Sequence, residues 1–178
     1  MPENKFTYHS IYNLGIWDST LFGLDCKNLI KEIYNIKQNT PSVSKSNRGG
    51  YQTPDNINNN SLFYPLVNTL NNLLCEIKKT PNLKITHMWA NISSFSNYNY
   101  PHRHSNTDNP NLFSGVVYLQ VPKNSGNLVF LNPLSIDSEC LIYSPKEKEV
   151  IFFPSILPHF VEPNLSQEDR ISIAFNYG

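Results

Sequence analysis

FPSILPHFVEPNLSQEDRISIAFN, Phe153 to Asn176, decides how this 178-residue chain is read. It closes on an alternation: Arg170, Ile171, Ser172, Ile173, Ala174, Phe175. Alternate side chains of a β-strand face opposite sides. Arg170 and Ser172 therefore share one face, and Ile171 and Ile173 take the other. An arginine beside a hydroxyl on an inner strand suits a carboxylate, because the guanidinium fork matches it in bidentate fashion. Glu168 and Asp169 stand next to it, so a solvated strand start is the competing reading. Upstream, His159 lies between Pro158 and Pro163 at the start of another short strand.

The segments before it have the same character. LKITHMWANISSF, LFSGVVYLQV, NLVFLN, CLIYS and EVIFFPS are short β-branched and aromatic runs. Turn formers at Pro122–Gly126, Pro133–Ser135 and Ser144–Lys148 separate them. Strands at this spacing predict a sandwich or barrel. The first 80 or so residues differ. Leu21, Leu24, Leu29, Ile30 and Ile33 recur at helical spacing, which predicts a helix from Ser19 to about Gln38. Leu62, Leu66, Leu70, Leu73, Leu74 and Ile77 predict a second, from about Ser61 to Lys79, capped by Ser61. Two helices over a β-rich body, about 81–178, make one α+β domain of the whole chain, 1–178.

YPHRHSNTDNP, Tyr100 to Pro110, holds His102 and His104 one residue apart, then Asp108. In an extended segment residues i and i+2 point the same way, about 7 Å apart, so both imidazoles can converge on one ion. Imidazole suits iron, zinc, copper and nickel. HxH alone is a common surface pattern, and His159, 57 residues after His102, is what strengthens it. His9 and His87 show no evident partners. Asp108 sits in a turn-prone loop and reads either as a turn cap or as a carboxylate ligand.

Composition removes several classes. Lys plus Arg, 14, equals Asp plus Glu, 14, so a partner gripped mainly through charge, such as duplex nucleic acid or an anionic membrane, is disfavoured. Three cysteines without a CxxC pair, Cys26, Cys75 and Cys140, fit free buried thiols in a reducing compartment. No apolar run approaches membrane-spanning length, and MPENKFTYHS lacks a signal-peptide core, so a cytoplasmic protein is expected.

Four segments together resemble a known family. They are SNRGGYQT (Ser46–Thr53), PHRHSN with FSGVVYLQVP (Pro101–Pro122), LVFLNP (Leu128–Pro133) and FFPSILPHFVEPN…RISIAFN (Phe152–Asn176). The chain resembles the 2-oxoglutarate- and Fe(II)-dependent oxygenases, and more narrowly those of marine phages and bacteria. The resemblance implies a double-stranded β-helix, or jelly roll, with the two helices against one sheet. It implies an enzyme that uses Fe(II), 2-oxoglutarate and dioxygen to hydroxylate a substrate, with succinate and carbon dioxide as coproducts. His102, His104 and His159 match the metal positions. Arg170 matches the arginine that grips the far carboxylate of 2-oxoglutarate, with Ser172 beside it and Tyr118 bonding the same group. Asn91 and Asn176 are weaker candidates for that pocket. In SNRGGYQT, the Gly49–Gly50 pair fits a tight loop and Arg48 is a candidate substrate contact; a structural turn is the bland reading.

His104 departs from the usual pattern, which places a carboxylate there. Three neutral imidazoles leave a ferrous site with charge +2 rather than +1. Asp108 is the alternative third ligand. Two other classes stay open: a cupin-like three-histidine metalloprotein that does not use 2-oxoglutarate, and a non-catalytic binding protein on the same barrel. The substrate, a small molecule or peptide, is not legible. Nothing in the sequence sets the oligomeric state, and a homodimer is left open.

Overall fold

The computed structural model describes residues 7–11, 14–79, 83–104, 112–133 and 135–178, with backbone alone at 10–11 and 135–140. In chain order the elements are β1 (Thr7–Ile11), β2 (Leu14–Thr20), α1 (Cys26–Asn39), β3 (Asn47–Arg48), β4 (Tyr51–Gln52) and α2 (Tyr64–Lys78). Then come β5 (Ile85–Ser93), β6 (Tyr98–His102), β7 (Phe113–Gln120), β8 (Leu128–Asn132), β9 (Ser135–Tyr143), β10 (Glu149–Pro154), β11 (His159–Val161) and β12 (Arg170–Tyr177). Two short 3₁₀ turns, Ile57–Asn59 and Ser61–Phe63, lead into α2.

The strands form two sheets, ordered β1-β2-β10-β7-β12-β5-β4 and β3-β6-β11-β8-β9, and every pairing between them is antiparallel. The alternation in β12 sorts its side chains between two environments. Ile171, Ile173, Phe175 and Tyr177 pack in one cluster with Leu29 and Ile33 of α1 and with Leu66, Leu70, Leu73 and Leu74 of α2. Each such leucine contributes roughly 1.5–3 kcal/mol when fully buried. Both helices thus cover one face of the seven-stranded sheet. Its other face meets the five-stranded sheet around Tyr118, Leu128, Phe130, Ile151 and Phe153.

The N-terminal part differs from expectation. A β1–β2 hairpin precedes the helices, and β2 pairs with β10. The first helix therefore begins at Cys26, not Ser19. Leu21 and Leu24 belong to a turn instead, where Leu21 N–H donates to Lys148 O at 2.7 Å. The Asp25 side chain accepts from Asn28 N–H at 3.2 Å and starts the helix there. Ser61 does not cap the second helix. Asn60 caps the 3₁₀ turn, through Leu62 N–H at 3.0 Å, and Pro65 sits in the first turn of α2. His9 does have a partner, Asp18 Oδ1 at 2.8 Å across the hairpin. Cys26 and Cys75 are free but half-buried rather than buried, and the Cys140 side chain lies outside the described residues.

Candidate metal centre and its pocket

β6 and β11 are neighbours in the five-stranded sheet, and His102 pairs in register with His159. His104 follows just past the end of β6. Its N–H donates to Ser155 O at 2.9 Å, which fastens it to the turn before β11. One ligand nitrogen from each of the three lies within 4.8 Å of the others. The rings are 4.4 Å apart between His102 and His159 and 5.0 Å in each of the other two pairs, centroid to centroid.

Each ring is held from behind by oxygen. His102 Nδ1 lies 2.8 Å from Tyr100 O, and His159 Nδ1 lies 2.9 Å from Leu157 O. His104 Nδ1 lies 2.9 Å from Asn176 Oδ1 and 3.1 Å from Ser114 Oγ. The carbonyl and amide oxygens accept, so the proton sits on Nδ1 and the lone pair on Nε2. His102 Nε2 and His104 Nε2 then face each other at 3.1 Å as two acceptors. A cation between them resolves that conflict, and an all-nitrogen set of this kind suits iron or zinc.

Burial pushes all three histidines below their ordinary value, His104 to about 4. For His104 and His159 the neighbouring rings push the same way. They are neutral near pH 7, the form that binds metal.

The centre opens on a cavity of about 610 Å³ between the sheets. At one end Ser172 pairs in register with Tyr118 on β7 and Asn91 on β5, a polar row across three strands. Arg170 stands one step further, 4% exposed, and donates through one terminal nitrogen to Ser125 O and to Gly126 O. Its neighbour Asp169 is taken by Tyr34 OH at 2.6 Å. Among the described residues no carboxylate forms an ion pair with Arg170. Glu162 acts on it only from beyond ion-pair distance, and a buried guanidinium without a contacting carboxylate is the electrostatic setting for an anionic ligand. Burial lowers the Arg170 pKa, opposed by Tyr118 and Glu162, and burial raises that of Tyr118, opposed by Arg170 and reinforced by Glu149.

The structure thus gathers His102, His104 and His159, and sets Arg170, Ser172, Tyr118 and Asn91 in the same cavity. Asn176 also lines it, but its carbonyl is engaged with His104 rather than with the Arg170 end. Asp108 lies outside the described residues. Trp89 is a wall, its ring 5.4 Å from that of His104. SNRGGYQT crosses between the sheets, with β3 on β6 and β4 on β5. Arg48 is exposed and stacks on Tyr100 at 4.1 Å. Sequence reasoning missed Ser46, whose hydroxyl is 3.3 Å from His102 Nε2, and the Ser114–Ser155 pair behind His104, 2.7 Å apart.

The family described as "Putative 2OG-Fe(II) oxygenase" matches residues 134–176. That span holds His159 and Arg170 and leaves out His102 and His104. Solved structures extend the likeness to nearly the whole chain. A prolyl-4-hydroxylase from Pseudomonas putida is similar at 17% identity and TM-score 0.70, over 92% of each chain. The chain resembles the 2-oxoglutarate/Fe(II) oxygenases. A viral collagen prolyl hydroxylase from Paramecium bursaria Chlorella virus-1, in its 2-oxoglutarate complex, is 17% identical with TM-score 0.65, over 90% of this chain and 94% of that one. HygX from Streptomyces hygroscopicus, with nickel and 2-oxoglutarate bound, is 13% identical with TM-score 0.66, over 93% and 83%. At these identities the structural likeness is one of fold. No curated protein is matched by the sequence. Among the described residues no helix is long and apolar enough to cross a membrane.

Proposed function

We propose that the chain is a non-haem Fe(II)- and 2-oxoglutarate-dependent dioxygenase on a double-stranded β-helix, hydroxylating a small molecule or a peptide residue. The observation that carries this reading is the pairing of two features in one cavity. Three Nε2 lone pairs converge, and a buried arginine with no carboxylate in ion-pair contact among the described residues lines the same space.

His102, His104 and His159 would hold the metal through Nε2. Iron with 2-oxoglutarate and dioxygen supplies the oxidation, and the cosubstrate leaves as succinate and carbon dioxide. Arg170 holds the far carboxylate of the cosubstrate in a charge-assisted fork, with Ser172 and neutral Tyr118 as flanking hydroxyls. Three uncharged ligands leave the metal's +2 charge uncompensated, which strengthens the grip on a dianion. Trp89, Val116 and Ala174 keep the centre dry. Lys45, Asp55 and Arg103, exposed residues of the cavity lining, are the groups that an entering substrate would meet.

The test is succinate release from 2-oxoglutarate by the purified protein with Fe(II) in air, against a metal-free control. Iron-dependent succinate is expected. The donor set without a carboxylate favours one second reading, a three-histidine metalloprotein that does not use 2-oxoglutarate. Metal binding without any affinity for 2-oxoglutarate selects that reading and sinks the first.

A further inference from the structure

Arg170 is gripped from two sides, and both grips meet in one loop: the Asn164 side chain ties the strand side, and the backbone of its neighbours ties the turn. Asn164, in the loop between β11 and β12, is fully buried. Its Nδ2 donates to Ser93 O at 2.7 Å and to Glu168 O at 2.8 Å, and its Oδ1 accepts from Ser166 N–H at 2.8 Å. Its backbone is engaged as well, with N–H to Asn97 O at 3.0 Å and C=O from Ser96 N–H at 2.7 Å. Ser93 is the cross-strand partner of Arg170, and Glu168 lies two residues before it.

The other side of the arginine is tied to the same loop. Its terminal nitrogen donates to the carbonyls of Ser125 and Gly126. That turn is fastened to the residues flanking Asn164, through Leu165 N–H to Asn124 O at 2.9 Å and Glu162 N–H to Asn127 O at 3.0 Å. A methyl group on Gly126 would meet the carbonyls of Glu162 and Pro163, so the two segments are in backbone contact.

We infer that Asn164 is a positioning residue for Arg170: it locks the strand end and the turn that aim the guanidinium into the cavity. The inference rests on the proposed role of Arg170 as the carboxylate anchor. A bidentate bond to a carboxylate needs the fork held in one plane, so a loosened frame costs the bond without removing the charge. Among the described residues no hydrogen bond joins this frame to the three histidines, so the metal is expected to be spared.

The test uses nickel-loaded protein and two probes. 2-Oxoglutarate has a far carboxylate, and oxalate has only the metal-chelating end. Asn164→Ala removes three side-chain bonds. Asn164→Ser, run in parallel, is the milder variant. Calorimetry is expected to show 2-oxoglutarate binding weakened roughly tenfold or more, the loss of one aligned charge-assisted bond. Nickel and oxalate affinities stay as in the wild type. Equal weakening of oxalate, unchanged 2-oxoglutarate binding in a folded variant, or unfolding of both variants overturns the inference. Wild-type protein that binds oxalate but not 2-oxoglutarate removes the anchoring role of Arg170 itself, and this inference with it.

Discussion

Asn176 stands behind His104, and replacing it is the sharpest probe of how the centre is built. The His104 ring has two oxygens at Nδ1, Asn176 Oδ1 at 2.9 Å and Ser114 Oγ at 3.1 Å, and Ser114 also donates to that Asn176 oxygen at 2.8 Å. Removing the group that orients a ligand histidine costs about 10–100-fold in metal affinity, or about 1.4–2.8 kcal/mol. In Asn176→Ala the serine remains as a fallback, so the loss falls near the lower end, about tenfold. Adding Ser114→Ala removes both oxygens and takes it toward about 100-fold. Asn176→Asp keeps an acceptor in place and retains affinity. The assay is titration of the metal-free protein with Co(II), at a temperature where circular dichroism shows each variant folded. Wild-type affinity in the double variant, or an Asp variant weaker than Ala, refutes the orienting role.

Other outcomes follow from the same geometry. Burial depresses the three histidines from 6.5, His104 to about 4, so between those values the unfolded chain holds more protons than the folded one. Stability of the metal-free protein is complete above about pH 6.5 and falls toward pH 4; a melting temperature flat across that window contradicts the buried neutral cluster. Gly50→Ala forces a left-handed residue at φ 70° and a Cβ 2.6 Å from Ile92 O. Beyond the roughly 1–2 kcal/mol of left-handed backbone, it must part β4 from β5. Gly23→Ala, at φ 77° with nothing within 4 Å, shows the backbone cost alone, and equal melting temperatures for the two variants refute the clash. At about 100 Kd, 2-oxoglutarate should stabilise the nickel-loaded protein by about 2.7 kcal/mol, a rise of roughly 5–10 °C. Arg170→Met keeps the nickel shift and loses most of this one; an undiminished shift rules out the anchor.

The C-terminal half was legible because its strands alternate. The period-two pattern of β12 assigned Arg170 and Ser172 to one face and the isoleucines to the other before any coordinates. The start of α1 was misplaced because Leu21 and Leu24, in the turn after β2, blend into its helical pattern. Only the turn bond from Leu21 to Lys148 O and the Asp25 cap separate them from it. The three histidines that cluster were visible through spacing and resemblance. The groups that orient them were not. Ser46, Ser114, Ser155 and Asn176 come from four distant segments, and two of the ring contacts are to backbone carbonyls, which no side-chain pattern reveals. Asn176, a weaker candidate as a polar residue of the expected pocket, lines the cavity from the far end of β12, where its carbonyl meets His104.

The central claim is that His102, His104 and His159 hold one metal ion, the donor set that the described residues offer. X-ray absorption on the anaerobic Fe(II)-loaded protein counts them directly. The account predicts scattering from three imidazole rings bound through nitrogen. A best fit with two rings and a protein carboxylate oxygen, from Asp108 or elsewhere, contradicts it.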